Sequence, residues 1–175
     1  TNGTLACWGS SIHNMTTPAS GSNFISVWGR QLGFCAARTG GANPGYSCWG
    51  QSSGNVYGVN DIKKMAGHHC YIRNNTNGTL ACPYLPVTGL PTGDGFIDIA
   101  EGYDERFCAV HESGTLSCWR RSGTPDTSVI FPEGDDFVAI VGGIRSGLCG
   151  IREDGSVSCA KRTESHPTNN IDLLP

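Results

Sequence analysis

Residues Leu148–Cys159, LCGIREDGSVSC, read as a β-hairpin with a cysteine on each arm. If Glu153, Asp154 and Gly155 form a three-residue loop with the glycine left-handed, Arg152 faces Ser156 and every earlier residue has a fixed partner. Ile151 then faces Val157, and Cys149 faces Cys159, close enough in an antiparallel pair to bridge. Side chains alternate across a strand, so Cys149, Ile151, Val157 and Cys159 share an apolar face while Gly150, Arg152, Ser156 and Ser158 share a polar one.

The same device recurs upstream. In Phe107–Cys118, FCAVHESGTLSC, Cys108 faces Cys118 and Val110 faces Leu116 around the loop Glu112-Ser113-Gly114. In Cys70–Cys82, Ile72 faces Leu80 across a longer Asn-rich loop, and in Cys35–Cys48, Ala37 faces Tyr46 across a glycine- and proline-rich one. Register, polarity and turn glycine recurring together mark a repeat. Ahead of each hairpin stands a short apolar strand and a glycine: Phe24-Ile25-Ser26-Val27 with Gly29, Ile62-Lys63-Lys64-Met65 with Gly67, Phe96-Ile97-Asp98-Ile99 with Gly102, and Phe137-Val138-Ala139-Ile140 with Gly142.

Successive second cysteines, at 7, 48, 82, 118 and 159, lie 41, 34, 36 and 41 residues apart. Repeats of this length with three or four short strands suit propeller blades better than helical solenoids, and no blade can bury its faces alone. The reading is an all-β propeller with a partial unit at 1–23 and four full units at 24–58, 59–94, 95–135 and 136–175. Residues 1–7, TNGTLAC, repeat 76–82, so the chain opens on the second arm of a hairpin. Cys7 is therefore expected to be unpaired, and could join two chains into a dimer. The tail 169–175, NNIDLLP, is similar to the segments 87–91 and 128–132 that precede a first strand. This reads as a segment of a larger propeller, or as a ring of about five blades with the last one incomplete.

Composition agrees with many short strands and tight turns: 25 glycines and only 15% charged residues. A net charge of −3 provides no broad basic surface for nucleic acid, and no apolar run reaches membrane-spanning length. Nine cysteines without a CxxC pair, spaced 10 to 13 within each hairpin, point to disulfides rather than a zinc site. Cys35–Cys48, Cys70–Cys82, Cys108–Cys118 and Cys149–Cys159 are the expected bridges, each contributing roughly 2–3 kcal/mol on the chain-entropy argument. Disulfides and four Asn-x-Ser/Thr sequons, at Asn2, Asn14, Asn74 and Asn77, indicate the secretory pathway and an extracellular or cell-surface location.

No catalytic constellation emerges. Asp135-Asp136, Asp104-Glu105 and Glu153-Asp154 are adjacent carboxylates, which point apart on a strand or turn. His68-His69 beside Cys70 suggests a metal or thiol site, but alternation sends the imidazoles to opposite faces and a bridged cysteine is no nucleophile. His111 and Arg152, both flanking turns, read as a solvated face. The glycines lack the phosphate-loop pattern, so neither cofactor nor metal is assigned. Trp8, Trp49 and Trp119 each follow a second cysteine, which suits packing between blades, with a sugar platform as the alternative. Trp28 breaks the pattern, since Ala66, Ala100 and Val141 occupy its position. Trp28, Trp49 and Trp119 are the candidate ligand contacts.

The F-x-x-I strands, the C-A/G-I/V arms, the turn glycines and the Cys7-Trp8-Gly9 and Cys48-Trp49-Gly50 triplets resemble the RCC1-like repeats of CRINKLY4-type plant receptor kinases. The 50–58 stretch, GQSSGNVYG, resembles that family's loop after the hairpin. Cys82-Pro83 and Cys159-Ala160 depart from it by lacking Trp-Gly. The resemblance implies a secreted or displayed propeller that senses a peptide or protein ligand and catalyses nothing. Two alternatives stand beside it: a secreted lectin binding glycans, and a protein-interaction or inhibitor module. In each case the connectors 8–23, 51–61, 83–94 and 120–135 are the adaptable surface.

Overall fold

Each cysteine hairpin adds its two arms, in sequence order, to the apolar strand before it. The computed structural model describes residues 3–30, 33–38, 45–51, 54–57, 61–67, 69–74, 77–83, 90–103, 105–121, 129–143 and 147–162, with backbone alone at 30, 54–57 and 162. The first sheet runs β1 (Phe24–Arg30), β2 (Gly33–Arg38), β3 (Gly45–Gly50) and β4 (Gly54–Tyr57). The second runs β5 (Ile62–Ala66), β6 (Cys70–Arg73) and β7 (Leu80–Ala81); the third, β8 (Phe96–Gly102), β9 (Arg106–His111) and β10 (Leu116–Arg120). After β11 (Val129–Ile130) comes the fourth, β12 (Phe137–Gly142), β13 (Leu148–Arg152) and β14 (Val157–Cys159). The last strand, β15 (Lys161–Arg162), turns back to pair with β11.

All these pairings are antiparallel, and the hairpin register is set by the turns. Cys149 lies opposite Cys159 and Ile151 opposite Val157; Cys108 lies opposite Cys118 and Val110 opposite Leu116. Ile72 faces Leu80, and Cys35 and Ala37 face Cys48 and Tyr46. Four disulfides bridge Cys35–Cys48, Cys70–Cys82, Cys108–Cys118 and Cys149–Cys159, with Cα atoms 4.0 to 4.1 Å apart. In the last loop Gly155 is left-handed at φ +83 and its N–H donates to the Arg152 carbonyl at 3.0 Å.

Asp154 in that loop accepts the Ser156 N–H at 2.8 Å. Hydrogen bonds from the Ser156 hydroxyl and backbone hold its carboxyl below the usual aspartate range. A lowered folded pKa means that the native chain binds fewer protons than the unfolded one in that window. The loop's contribution is therefore present above the unfolded pKa and is lost as pH falls through the folded one. An NMR titration of the Asp154 carboxyl should show a midpoint below that of an unfolded-chain aspartate, and Ser156→Ala should move it upward.

The sheets stack face to face, with β1, β5, β8 and β12 adjoining one another and the hairpins running outward. Cys35, Ala37, Tyr46 and Cys48 of the first sheet pack on Ile62, Met65, Tyr71 and Ala81 of the second. Ala66, Cys70, Ile72 and Leu80 pack on Phe96, Ile99, Phe107, Ala109 and Trp119 of the third. Ala100, Cys108 and Val110 pack on Phe137, Ile140 and Leu148 of the fourth. The rear of the first sheet, Phe24, Ala36 and Trp49, is covered by Leu5, Cys7 and Ala19. The disulfide face of one sheet thus seats the rear face of the next. In the inner sheets the rear face is apolar too, because those sheets are sandwiched on both sides.

A backbone contact locks three of these seats. The N–H groups of Phe24, Phe96 and Phe137 donate to the carbonyls of Gly3, Gly78 and Gly114 at 3.0, 3.1 and 3.0 Å. Those turn glycines are left-handed, at φ +60, +79 and +78. A Cβ on any of them would run into the backbone of the following sheet.

Candidate ligand-binding face

Every first strand carries a β-bulge, which bends the strand and re-aims one side chain. The register slips between Phe24 and Ser26, Ile62 and Lys64, Phe96 and Asp98, and Phe137 and Ala139. The extra residues are Ile25, Lys63, Ile97 and Val138, at the hairpin-turn end of their sheets. Ile25 and Val138 are 47% and 45% exposed, Lys63 is exposed and Ile97 half-buried. The bulges therefore build a row of outward side chains, apolar except at Lys63.

Beside that row each sheet has a cation or imidazole across from its leading residue: Arg38, Arg73, His111 and Arg152. The Arg38 and Arg152 guanidiniums lie 4.5 and 4.2 Å from the centres of the Phe24 and Phe137 rings. His111 meets Phe96 edge-on at 5.6 Å. Arg73 pairs with Asp61 at 2.9 Å, and Arg152 pairs with Asp136. His111 and Arg152 are consequently half-buried lids over aromatic rings, a correction to their reading as a solvated face. The attraction of a cation for a ring face and the ion pair with Asp136 draw Arg152 inward, and the edge-on contact with Phe96 holds His111.

Between the second and third sheets this end opens into a cleft of about 390 Å³ lined by Lys63, Asn77, Asp94, Gly95, Phe96, Ile97 and Glu112. The Gly95 N–H donates to the Asn77 carbonyl at 2.6 Å and the Glu112 N–H to the Gly95 carbonyl at 2.8 Å, so the walls are tied to each other. One ammonium, two carboxylates and a carboxamide border the cleft beside half-buried Ile97, with Phe96 itself buried. That set can orient a polar ligand; it holds no nucleophile paired with a base. Among the described residues no group of three His, Cys, Asp or Glu is gathered that could hold a metal, and no helix is long and apolar enough to cross a membrane.

The tryptophans are not on this face. Trp49 and Trp119 are 5% and 2% exposed, stacked on Phe34 and Phe107 at 5.8 Å. The Trp49 indole N–H donates to the Met15 carbonyl at 3.0 Å. Both belong to seats between chain layers, the packing role the sequence suggests, and their burial removes them as candidate ligand contacts. Trp28 is half-buried at the first interface, edge-on to Tyr46. Trp8 is 88% exposed, because residues 3–9 belong to no sheet and lack the cross-strand aromatic that covers Trp49 and Trp119.

Asn14, Asn74 and Asn77 are exposed, and Asn77 borders the cleft; Asn2 lies outside the described residues. Cys7 is a free, half-buried thiol beside Leu5. His68, Asp104, the tail 163–175 and the connector residues 52–53, 58–60, 84–89 and 122–128 are also outside them.

Sequence reasoning missed the polar residues between sheets. Buried Asp98 accepts N–H groups from Ile99 at 2.7 Å and Ile140 at 3.0 Å, and pairs with Lys64. His69 Nδ1 lies 3.6 Å from Glu101 Oε1, and the Glu101 carboxylate fills the space left by Gly67. A carboxylate inside the apolar FIDI strand is the signal that could have found the first of these.

No protein-family model matches the chain, and no curated protein matches it. Among solved structures it is similar to the crystal structure of the CRINKLY WD40 ectodomain from the Arabidopsis thaliana receptor kinase ACR4, with a TM-score of 0.57 and 20% identity. The match covers 78% of this chain and 49% of that one, so the chain spans about half the length of its structural neighbour. At that identity the likeness is one of fold, an all-β propeller of the WD40 kind.

Proposed function

We propose that the chain is an extracellular, RCC1-like recognition propeller that binds a peptide or protein ligand at its hairpin-turn end and catalyses nothing. The observation that carries this is the set of four in-register disulfides on a propeller similar in fold to a receptor ectodomain. Such bridges persist in oxidising compartments, and exposed sequons accord with passage through the secretory pathway. The mixed charge bordering the Lys63–Glu112 cleft favours a peptide over a glycan. The lectin alternative draws on tryptophan platforms, and Trp49 and Trp119 are buried.

The test is to screen the purified chain against a phage-displayed random peptide library and a glycan array in parallel. Selected peptides should bind with at least about tenfold loss in Lys63→Glu and Glu112→Lys, roughly 1.4 kcal/mol, while both variants melt like the parent. Glycan binding without peptide enrichment would replace this reading with the lectin.

A further inference from the structure

The fourth sheet presents the same disulfide face that seats a neighbour in the other three. The cross-strand rows Ala139–Ile151–Val157 and Val141–Cys149–Cys159 share that face. They stand where the third sheet has Asp98–Val110–Leu116 and Ala100–Cys108–Cys118, the rows that seat Phe137, Ile140 and Leu148. In the third sheet Ala100 is buried and Leu116 half-buried, while at the equivalent positions of the fourth Val141 and Val157 are 51% and 60% exposed; Cys149 and Ile151 are half-buried where Cys108 and Val110 are wholly buried. No charged side chain stands in either row of the fourth sheet.

The turn repeats the device as well. Gly155 is left-handed at φ +83, beside +79 and +78 at Gly78 and Gly114. At those two glycines a Cβ would collide with the next sheet, whereas at Gly155 it would meet nothing within 4 Å. Both halves of the seat, the apolar rows and the turn, are thus built and exposed among the described residues.

We infer that this face is a docking surface for one further sheet of the same repeat, whose first strand carries a large apolar residue and a second apolar residue three positions on. Its leading N–H would donate to the Gly155 carbonyl, as those of Phe24, Phe96 and Phe137 do to their turn glycines. Continuity with the seats inside this chain selects that partner. Each is formed by a disulfide face and such a strand: Ile62 with Met65, Phe96 with Ile99, Phe137 with Ile140. Ala139 takes the place of Asp98, so this seat lacks the carboxylate tie and depends on apolar and backbone contacts.

The test adds a second copy of residues 93–121, whose first strand carries Phe96 and Ile99, after Pro175 of the complete chain and follows hydrogen exchange by mass spectrometry. Amides in 148–159 should exchange at least about tenfold more slowly than in the unextended chain, since protection follows the free energy of opening. Val157→Glu should abolish the gain in the extended chain and leave the melting temperature of the unextended chain unchanged. Unchanged exchange on extension would overturn the inference. So would self-association of the unextended chain that Val157→Glu abolishes, because the face would then belong to a second copy.

Discussion

Gly114→Ala should destabilise the chain by about 3 kcal/mol or more, while Gly155→Ala should cost only about 1–2 kcal/mol. The two residues hold equivalent turns at nearly the same φ, +78 and +83, so the strain of placing an L side chain in the left-handed region is common to both. What differs is the space. At Gly114 the new methyl would overlap the Asp135 carbonyl oxygen and lie 2.9 Å from the Asp136 nitrogen. Backbone cannot swing aside like the end of a long side chain. The approach to β12 would have to withdraw, lengthening the Phe137-to-Gly114 hydrogen bond and lifting Phe137 from its seat against Cys108 and Val110. Urea denaturation of the two variants reads the difference directly. Equal losses would mean that the turn glycines serve the hairpins alone and do not lock one sheet to the next.

That contrast separates what the sequence reveals from what it conceals. Hairpin pairing was legible because a turn glycine fixes the loop, and counting outward from Gly155 or Gly114 then fixes every partner. The division into apolar strand and hairpin was legible for the same local reason. Stacking on both faces was legible from the apolar first strands, but which hairpin residues it buries was not. Ala36, Phe107, Ala109 and Trp119 lie opposite the disulfide faces, and only the stacking of a neighbour decides whether that side is wet. Val157 and Leu116 occupy one repeat position, yet Val157 is exposed and Leu116 packs beneath the next sheet. Identical local sequence roles thus end in different environments, set by what lies alongside.

Local pairing also decides which side chains reach solvent. A tryptophan after the second cysteine pairs with the residue before the first, and Phe34 and Phe107 there make a stacked aromatic pair. Stacking takes Trp49 and Trp119 out of solvent. The bulges do the reverse, since an inserted residue cannot keep alternation with the buried face. They turn Ile25, Lys63 and Val138 outward at the end where the hairpin loops gather. A strand pattern alone gives no sign of a bulge, and FIDI or IKKM reads as an ordinary strand until its partner register is known.

Asp98→Ala should cost about 2–4 kcal/mol, because one buried carboxylate serves three sheets at once. It accepts the Ile99 N–H within its own strand and the Ile140 N–H of the fourth sheet, and it pairs with Lys64 of the second. Alanine would leave the Ile140 N–H buried without that acceptor, and removing one partner costs the full desolvation of the other. The lysine carries less of this. Its side chain is 42% exposed against 6% for Asp98, so water takes over when the pair is broken, and Lys64→Met should cost under about 1 kcal/mol. Asp98→Asn retains one acceptor oxygen where two N–H groups need partners, and should fall between the two. Chemical denaturation of all three variants gives the ranking. If Lys64→Met equals Asp98→Ala, the ion pair is what joins the sheets; if only Asp98→Ala is costly, the backbone N–H groups held by its carboxylate are.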